Sequence, residues 1–278
     1  MWTIENRAKY NRDHLRYPSD ATDEEWAHIE PLIPPAKRGG RRRTTNMRQT
    51  FNGIMFVLSA GCQWRYLPKD FPPHGTVYRY FEAWSWYGVL DRIHEALYEK
   101  CRAQAERDAS PTAAIIDSQS VKSAEKGGPR SIRRFDAGKK IKGKKRHILV
   151  DTLGLLLGAI VHSAGVQDRD GGVLLLSTLF GRFPFIEKLF ADSAYQGPIF
   201  ADALGKILPR LEIEIVKRSD QAKGFVKLPK RWIVERSIAW LNRCRRLAKD
   251  WENLNRTALA FLRFASIRLM LRKLCNPA

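Results

Sequence analysis

Between residues 112 and 218 the hydrophobic period switches repeatedly, and that alternation constrains the fold more than any other feature of the chain. AAIIDSQS is a short apolar run ending in Asp117, and KRHILVDTLGLLLGAIVHSA is two apolar runs around DTLG. Two such runs about a turn predict an antiparallel hairpin, with Asp151 in the turn. DGGVLLLSTLFGRF reads as a helix, IEKLFADSAY as a strand ending at Asp192, PIFADALGKIL as a helix and EIEIVKR (212–218) as a strand. Three early strands followed by strand–helix crossovers predict an α/β domain: a mixed sheet with helices packed on its faces. No internal repeat of fixed period interrupts this order.

Residues 20–105 have a different character, with amphipathic, aromatic-rich helical patterns punctuated by Pro and Gly. The polar stretch CRAQAERDASPT (101–112) separates the halves, since Ser110-Pro111 ends the preceding helix. The expected domains are therefore a helical one at 1–105 and an α/β one at 112–278. Thr22 suits an N-cap, with acids in the first turn after it. Met47, Phe51, Ile54, Met55 and Leu58 recur at helical spacing, and Gly61 is placed to end that helix. A second helix is expected from PPHGTVYRYFEAWSWYGVLDRI. Its Thr76, Tyr78, Arg79 and Tyr80 suit a helix-turn-helix reader of duplex DNA, or equally a small bundle whose aromatics form the core.

The chain of 278 residues carries 49 Lys/Arg against 29 Asp/Glu, a net charge of +20. A surplus of that size attracts polyanions, with nucleic acid the leading partner and acidic membrane surfaces the rival; the expectation is nucleic acid and no membrane. No apolar run reaches the length of a membrane span, and the N-terminus lacks the apolar segment of a signal peptide. Cys62, Cys101, Cys244 and Cys275 are scattered, without zinc-ligand spacing, as expected of reduced thiols in a cytoplasmic, nucleoid-associated protein.

Asp117 and Asp192 both fall where an apolar run gives way to polar residues, the place where functional groups gather in open α/β sheets. Glu235 follows in the first turn of the last predicted helix, whose start Pro229 suits. Carboxylates from two strands and a helix form a hard oxygen site for Mg²⁺, and two such ions promote phosphodiester cleavage. The pattern thus suggests a metal-dependent nuclease or strand transferase. Asp151, Asp168 and Asp170 are competing acids; QDRDGG resembles a capped helix start. Spacing alone does not exclude them.

The basic residues are clustered. KRGGRRR (37–43) contributes Arg41, Arg42 and Arg43 as candidate DNA contacts. Residues 122–147 hold eleven Lys/Arg against two acids. They read as a flexible loop clamping phosphates, with Lys122, Lys139, Lys140, Lys142, Lys144 and Lys145 as candidates. No G-x-x-x-x-G-K-[ST] loop occurs. RWIVERSIAWLNRCRRLAK (231–249) contains six basic residues and the single acid Glu235. Read as one helix, it puts Glu235, Asn242, Arg246 and Lys249 on a polar face, and Trp240, Cys244, Leu247 and Trp251 on an apolar, core-facing one. Arg231, Arg243, Arg246 and Lys249 join the DNA-contact candidates.

IIDSQSVKS, EKGGPRS…FDAGKKIKGKKRHILVDTLGLLLG, QDRDGG, LFADSAYQG and RWIVERSIAWLNRCRRLAKDWE closely resemble bacterial transposases of the insertion-sequence five family. The resemblance continues into DEEWAHIEPLIPP…GRRRT…NGIMFVLSAGCQWRYLP, and so covers nearly the whole chain. It implies a ribonuclease H-like mixed sheet flanked by helices, after a smaller helical DNA-binding domain. It assigns the Asp-Asp-Glu triad to Asp117, Asp192 and Glu235, with Mg²⁺ or Mn²⁺ as cofactor, two ions being expected. It further implies hydrolysis at the terminal inverted repeats, attack of the freed 3′-hydroxyl on target DNA, and a homodimer or higher assembly when DNA ends are paired. Related transposases carry a Tyr, Arg, Glu, Lys signature around the third acid. Arg231 matches its Arg, while the Tyr and Lys positions fall on Leu228 and Asn242; Arg243 or Arg246 is the expected substitute for the Lys. The interval between Asp192 and Glu235 is too short for the β-rich insertion domain of some relatives.

Overall fold

A computed structural model of the chain describes residues 3–36, 39, 42–124, 134–136, 138–179, 181–216 and 230–276. It divides into two compact units. The first is Met1–Arg107 with Arg243–Leu247 and Ala260–Ala278; the second is Asp108–Asn242 with Ala248–Leu259.

The first unit is helical: α1 (Ile4–Lys9), α2 (Asp23–Ile29), α3 (Met47–Ala60), α4 (His74–Trp86) and α5 (Val89–Gln104). Thr22 caps α2 through a capping box closed by Glu25, and Asn46 caps α3, so orphan N–H groups at both starts have partners. Gly61 ends α3 in the left-handed region (φ 70°). The single long helix expected after the Pro-rich turn is split, because Gly88 adopts φ 68° and turns the chain between α4 and α5. Phe51, Ile54 and Leu58 of α3 and Phe81 of α4 are fully buried, whereas Tyr78 is exposed.

Their partners come from the far end of the chain. The 21-residue helix Asn255–Cys275, for which the sequence reading has no element, places Phe261 4.6 Å from Phe81 and Phe264 5.8 Å from it, ring centre to ring centre. Residues from Ala260 onward therefore complete the core of the first unit, whereas the expected boundary leaves everything after 112 in the second.

Among the described residues, the second unit is built on a mixed six-stranded sheet. It comprises β1 (Ala113–Lys122), β2 (Arg134–Asp136), β3 (Ile141–Asp151), β4 (Leu156–Ser163), β5 (Lys188–Ala191) and β6 (Glu212–Ile215). Strand order is β2-β3-β1-β5-β6, with β4 also on β3. The β1–β3, β3–β4 and β2–β3 pairs are antiparallel; β1–β5 and β5–β6 are parallel. Three helices accompany the sheet: α6 (Asp168–Ser177), α7 (Pro198–Ile207) and α8 (Arg231–Leu241). The Asn255–Cys275 helix is thus α9.

Ala114, Ile115 and Ile116 of β1 and Ile148, Leu149 and Val150 of β3 are buried on both faces, as a sheet covered on both sides requires. Asp151 makes the β3–β4 turn as expected, accepting from the N–H groups of Leu153 and Leu155, each at 2.9 Å. Two expectations change. The basic segment after Asp117 is not one loop: Arg134–Asp136 is β2, and β3 begins as early as Ile141. The helix read over 231–249 stops at Leu241, and Arg245–Leu247 forms a separate 3₁₀ turn.

Candidate active site

Asp117 is not at the end of its strand, as the apolar run suggested, but midway along β1, opposite Ile148 of β3. What ends there is the pairing on the other edge: β1 and β5 are in register only to Ile115 opposite Phe190. Two residues further along each parallel strand stand Asp117 and Asp192. Because side chains alternate with period two, both acids leave the sheet on the same face at the same level. Asp192 terminates β5 and caps a 3₁₀ turn, its Oδ1 accepting from the Ala194 N–H at 2.9 Å.

The third carboxylate comes from α8, which packs on β1 and β3. Arg231 is the first residue of α8 and Glu235 the fifth, one turn on, so the Glu lies beyond the first turn where it was expected. The Arg231 Nη2 is 3.4 Å from Glu235 Oε1, 3.7 Å from Asp192 Oδ2 and 3.9 Å from Asp117 Oδ2. One guanidinium thus sits among three acids brought together from three elements. All three separations exceed ordinary hydrogen-bond length, so the contacts are ionic.

The Asp117 carboxyl is pushed up to about 6. Burial is the main cause, and the Asp192 charge adds to it; the Ser118 N–H, Arg231 and Lys139 oppose it without cancelling it. Of these, Lys139 is exposed and donates to the Ser118 carbonyl at 3.2 Å.

Behind β1, on the opposite face, lies a buried polar network. Ser118 Oγ donates to Asp168 Oδ1 at 2.8 Å, and the Lys145 ammonium is 2.9 Å from the same oxygen and 3.4 Å from Asp136. Asp168 is the first residue of α6, but it does not cap its own helix; its carboxylate serves β1 and β3 instead. Burial raises the Asp168 carboxyl, and hydrogen bonds from Lys145 and Ser118 outweigh it, holding the group below its usual range. His147, next along this face, accepts from or donates to the Tyr195 hydroxyl at 2.9 Å and is pushed down to about 3 by burial and by His162 and Lys145. Gly171 makes this packing possible: a β-carbon there would stand 2.2 Å from His147 Nε2.

The candidate DNA contacts divide by exposure. Arg42, Lys122, Lys139, Lys140, Lys142, Arg243 and Lys249 are exposed, and Arg43 is half-buried with its guanidinium on the Pro34 carbonyl at 2.9 Å. Lys144 and Lys145 are buried. Lys144 donates to the Glu252 carbonyl at 2.6 Å and pairs with Asp250 at 3.4 Å. Both ammonium groups are committed to internal partners rather than offered to phosphate. Arg246 is also buried, donating to the Cys62 carbonyl at 3.0 Å, so it does not replace the missing signature Lys. Arg41, Leu228 and Pro229 lie outside the described residues.

The expected apolar face of α8 fares similarly. Cys244 and Leu247 are buried, but Trp240 and Trp251 are exposed. Trp240 and Trp232 instead flank the Arg236 guanidinium, at 4.7 and 4.5 Å from ring centre. Two signals escaped the sequence reading. Lys144 and Lys145 sit in a run whose neighbours Ile148–Val150 are core, which marks them as strand residues. The apolar positions of α9 give no clear amphipathic pattern, because a helix buried on several sides loses its polar stripe.

Three acids from β1, the end of β5 and α8 thus surround one guanidinium, and comparison with known proteins supplies the family. Residues 108–270 match the family described as "Transposase DDE domain", and residues 21–94 match "Putative transposase of IS4/5 family (DUF4096)". The chain belongs to the DDE-domain transposases of IS4/5-type insertion elements. It is 39% identical over 112 residues to "Insertion element IS402 uncharacterized 16.2 kDa protein" of Burkholderia cepacia, an alignment covering 38% of this chain and 74% of that protein. No solved structure matches.

Proposed function

We propose that this chain is the DNA transposase of a bacterial insertion sequence. In this reading it binds the terminal inverted repeats, hydrolyses phosphodiester bonds at them and transfers the 3′-hydroxyl ends into target DNA. The observation that carries the reading is the convergence of Asp117, Asp192 and Glu235 on one point, marked by the Arg231 guanidinium. The mixed sheet with helices against it is compatible with a ribonuclease H-like catalytic domain.

The donor set suits a divalent cation: three carboxylates provide hard oxygen ligands, and a positive group already occupies the space they surround. Among the described residues no group of three acids, His or Cys is positioned to hold a metal as it stands. The carboxylates are instead spread around Arg231. Asp117, Asp192 and Glu235 would hold Mg²⁺ or Mn²⁺, in one or two ions. When bound, the metal supplies Lewis-acid stabilisation of the attacking and leaving oxygens.

The chain's own residues account for the rest. The register between β1 and β5 fixes the two Asp side chains at one level, and α8 brings Glu235 to them. The Lys145–Asp168–Ser118 network anchors the strand from behind. Exposed Lys122, Lys139, Lys140, Lys142 and Lys249 in the same unit, and Arg42, Arg43 and Arg243 in the helical one, would neutralise DNA phosphates. Pairing of two element ends calls for a dimer or larger assembly on DNA. Among the described residues no helix is long and apolar enough to cross a membrane.

The test is a labelled duplex carrying the flanking inverted repeats, incubated with Mg²⁺ and scored for nicking and joining. Glu235→Gln is expected to lose both while retaining DNA affinity. Cleavage at the wild-type rate by that variant would refute the triad.

A further inference from the structure

Arg231 stands where the acids converge, and its charge cannot be switched off: a guanidinium stays protonated throughout the working pH range. Its Nη2 lies 3.4–3.9 Å from one oxygen of each of three carboxylates. It is locked to none of them by a short bidentate pair, the geometry that makes Arg–carboxylate contacts strong. Its Nε is buried and has no hydrogen-bond partner among the described residues. The group therefore serves the acids as a loosely held counter-ion. Lys230, immediately before it, has φ 62°, a left-handed conformation that a β-carbon disfavours and that stores strain at the base of the Arg231 side chain.

A divalent ion needs the same carboxylate oxygens and repels the guanidinium that now sits among them. The two cations compete for one place. Since Arg231 cannot yield by losing a proton, it must move, and it needs another anion to move to. A DNA phosphate is the natural destination, because the planar guanidinium fork matches two phosphate oxygens.

We propose that Arg231 is an internal competitor for the catalytic metal. It holds the three carboxylates together in the DNA-free protein and releases them when a DNA phosphate draws it away, so that metal loading is coupled to DNA binding. This rests on the metal-dependent reading above. Arg231 is in these terms a positioning residue that acts through the acids, and the coupling keeps an unengaged enzyme poorly loaded. Linkage makes the effect reciprocal: metal tightens DNA by the same factor as DNA tightens metal.

The experiment titrates Mn²⁺ into the full-length protein, with free Mn²⁺ read by electron paramagnetic resonance. Titrations are run without DNA and with a short inverted-repeat duplex, and binding to the duplex alone is subtracted. For the wild type, DNA is expected to tighten Mn²⁺ about tenfold, within the ordinary range of coupling between sites. Arg231→Gln is expected to bind Mn²⁺ about tenfold more tightly than wild type without DNA, and to gain little more when DNA is added. Equal affinity of wild type and Arg231→Gln without DNA overturns the proposal. So does a wild-type affinity indifferent to DNA, a result that needs no variant and stands even if Arg231→Gln fails to fold. If no protein binds Mn²⁺ under any condition, it is the metal-dependent reading that falls.

Discussion

Replacing Lys145 separates two accounts of the basic segment. Read from sequence, Lys145 is one more phosphate contact; in the structure its side chain is 5% exposed and its ammonium serves three oxygens. It lies 2.9 Å from Asp168, 3.4 Å from Asp136, and donates to the Val166 carbonyl at 3.0 Å. Lys145→Met keeps most of the aliphatic stem but leaves the buried Asp136, the half-buried Asp168 and a carbonyl without their partner. Breaking a buried pair on one side costs about 3–5 kcal/mol, because the remaining charge stays desolvated. Other donors partly hold both acids: Ser118 for Asp168, and Ser120 and the Lys139 N–H for Asp136. The lower end, about 3 kcal/mol, is therefore expected. At roughly 2–4 °C per kcal/mol for a domain of this size, Tm falls by on the order of 10 °C in calorimetry. Lys142→Ala, a change at an exposed position two strand residues from Lys144, is expected to leave Tm within about 1–2 °C and to lower the salt slope of DNA binding by about one ion. An unchanged Tm for Lys145→Met, together with a lowered salt slope, would refute the internal role and restore the phosphate contact.

Other outcomes follow from the same geometry. The Asp117 carboxyl is raised, so the fold favours its protonated form, and its contribution is full below the unfolded value near pH 4 and lost as pH rises through about 6. Metal-free protein is accordingly expected to lose stability between about pH 4 and 6 from this group, and Asp117→Asn to flatten that limb of a denaturant-midpoint profile; an identical profile for the variant would remove burial as the cause. Gly171→Ala places a methyl 2.2 Å from His147 Nε2, in a packed interior with little room to give, and is expected to cost at least about 2–3 kcal/mol in urea unfolding. Tyr195→Phe removes only the hydroxyl bonded to His147 and is expected to cost about 1 kcal/mol by the same measurement.

The alternation of apolar runs and helical patterns was enough to order the strands and helices of the second unit except β2, which lies in the basic segment read as a loop, since periods of 2 and 3.6 are written locally. For the same reason it nominated Asp117, Asp192 and Glu235, which interrupt or flank those runs. Partners are a different matter. Lys144 is paired with Asp250 and Lys145 with Asp168, residues remote in sequence, and the neighbouring core run marks both lysines as strand residues without giving the partners that bury them.

The chain by itself therefore determined the alternation of the main strands and helices between 112 and 218, and which acids are available to a site. Only the tertiary structure decided that β1 and β5 lie in parallel register, which levels Asp117 with Asp192, and that α8 stops at Leu241 with Arg231 among the acids. The same holds for α9, whose Phe261 and Phe264 complete the core around Phe81. Local sequence sets the period of hydrophobic exposure. Charge pairing and core closure are long-range, and they are settled only when distant segments exclude water from one another.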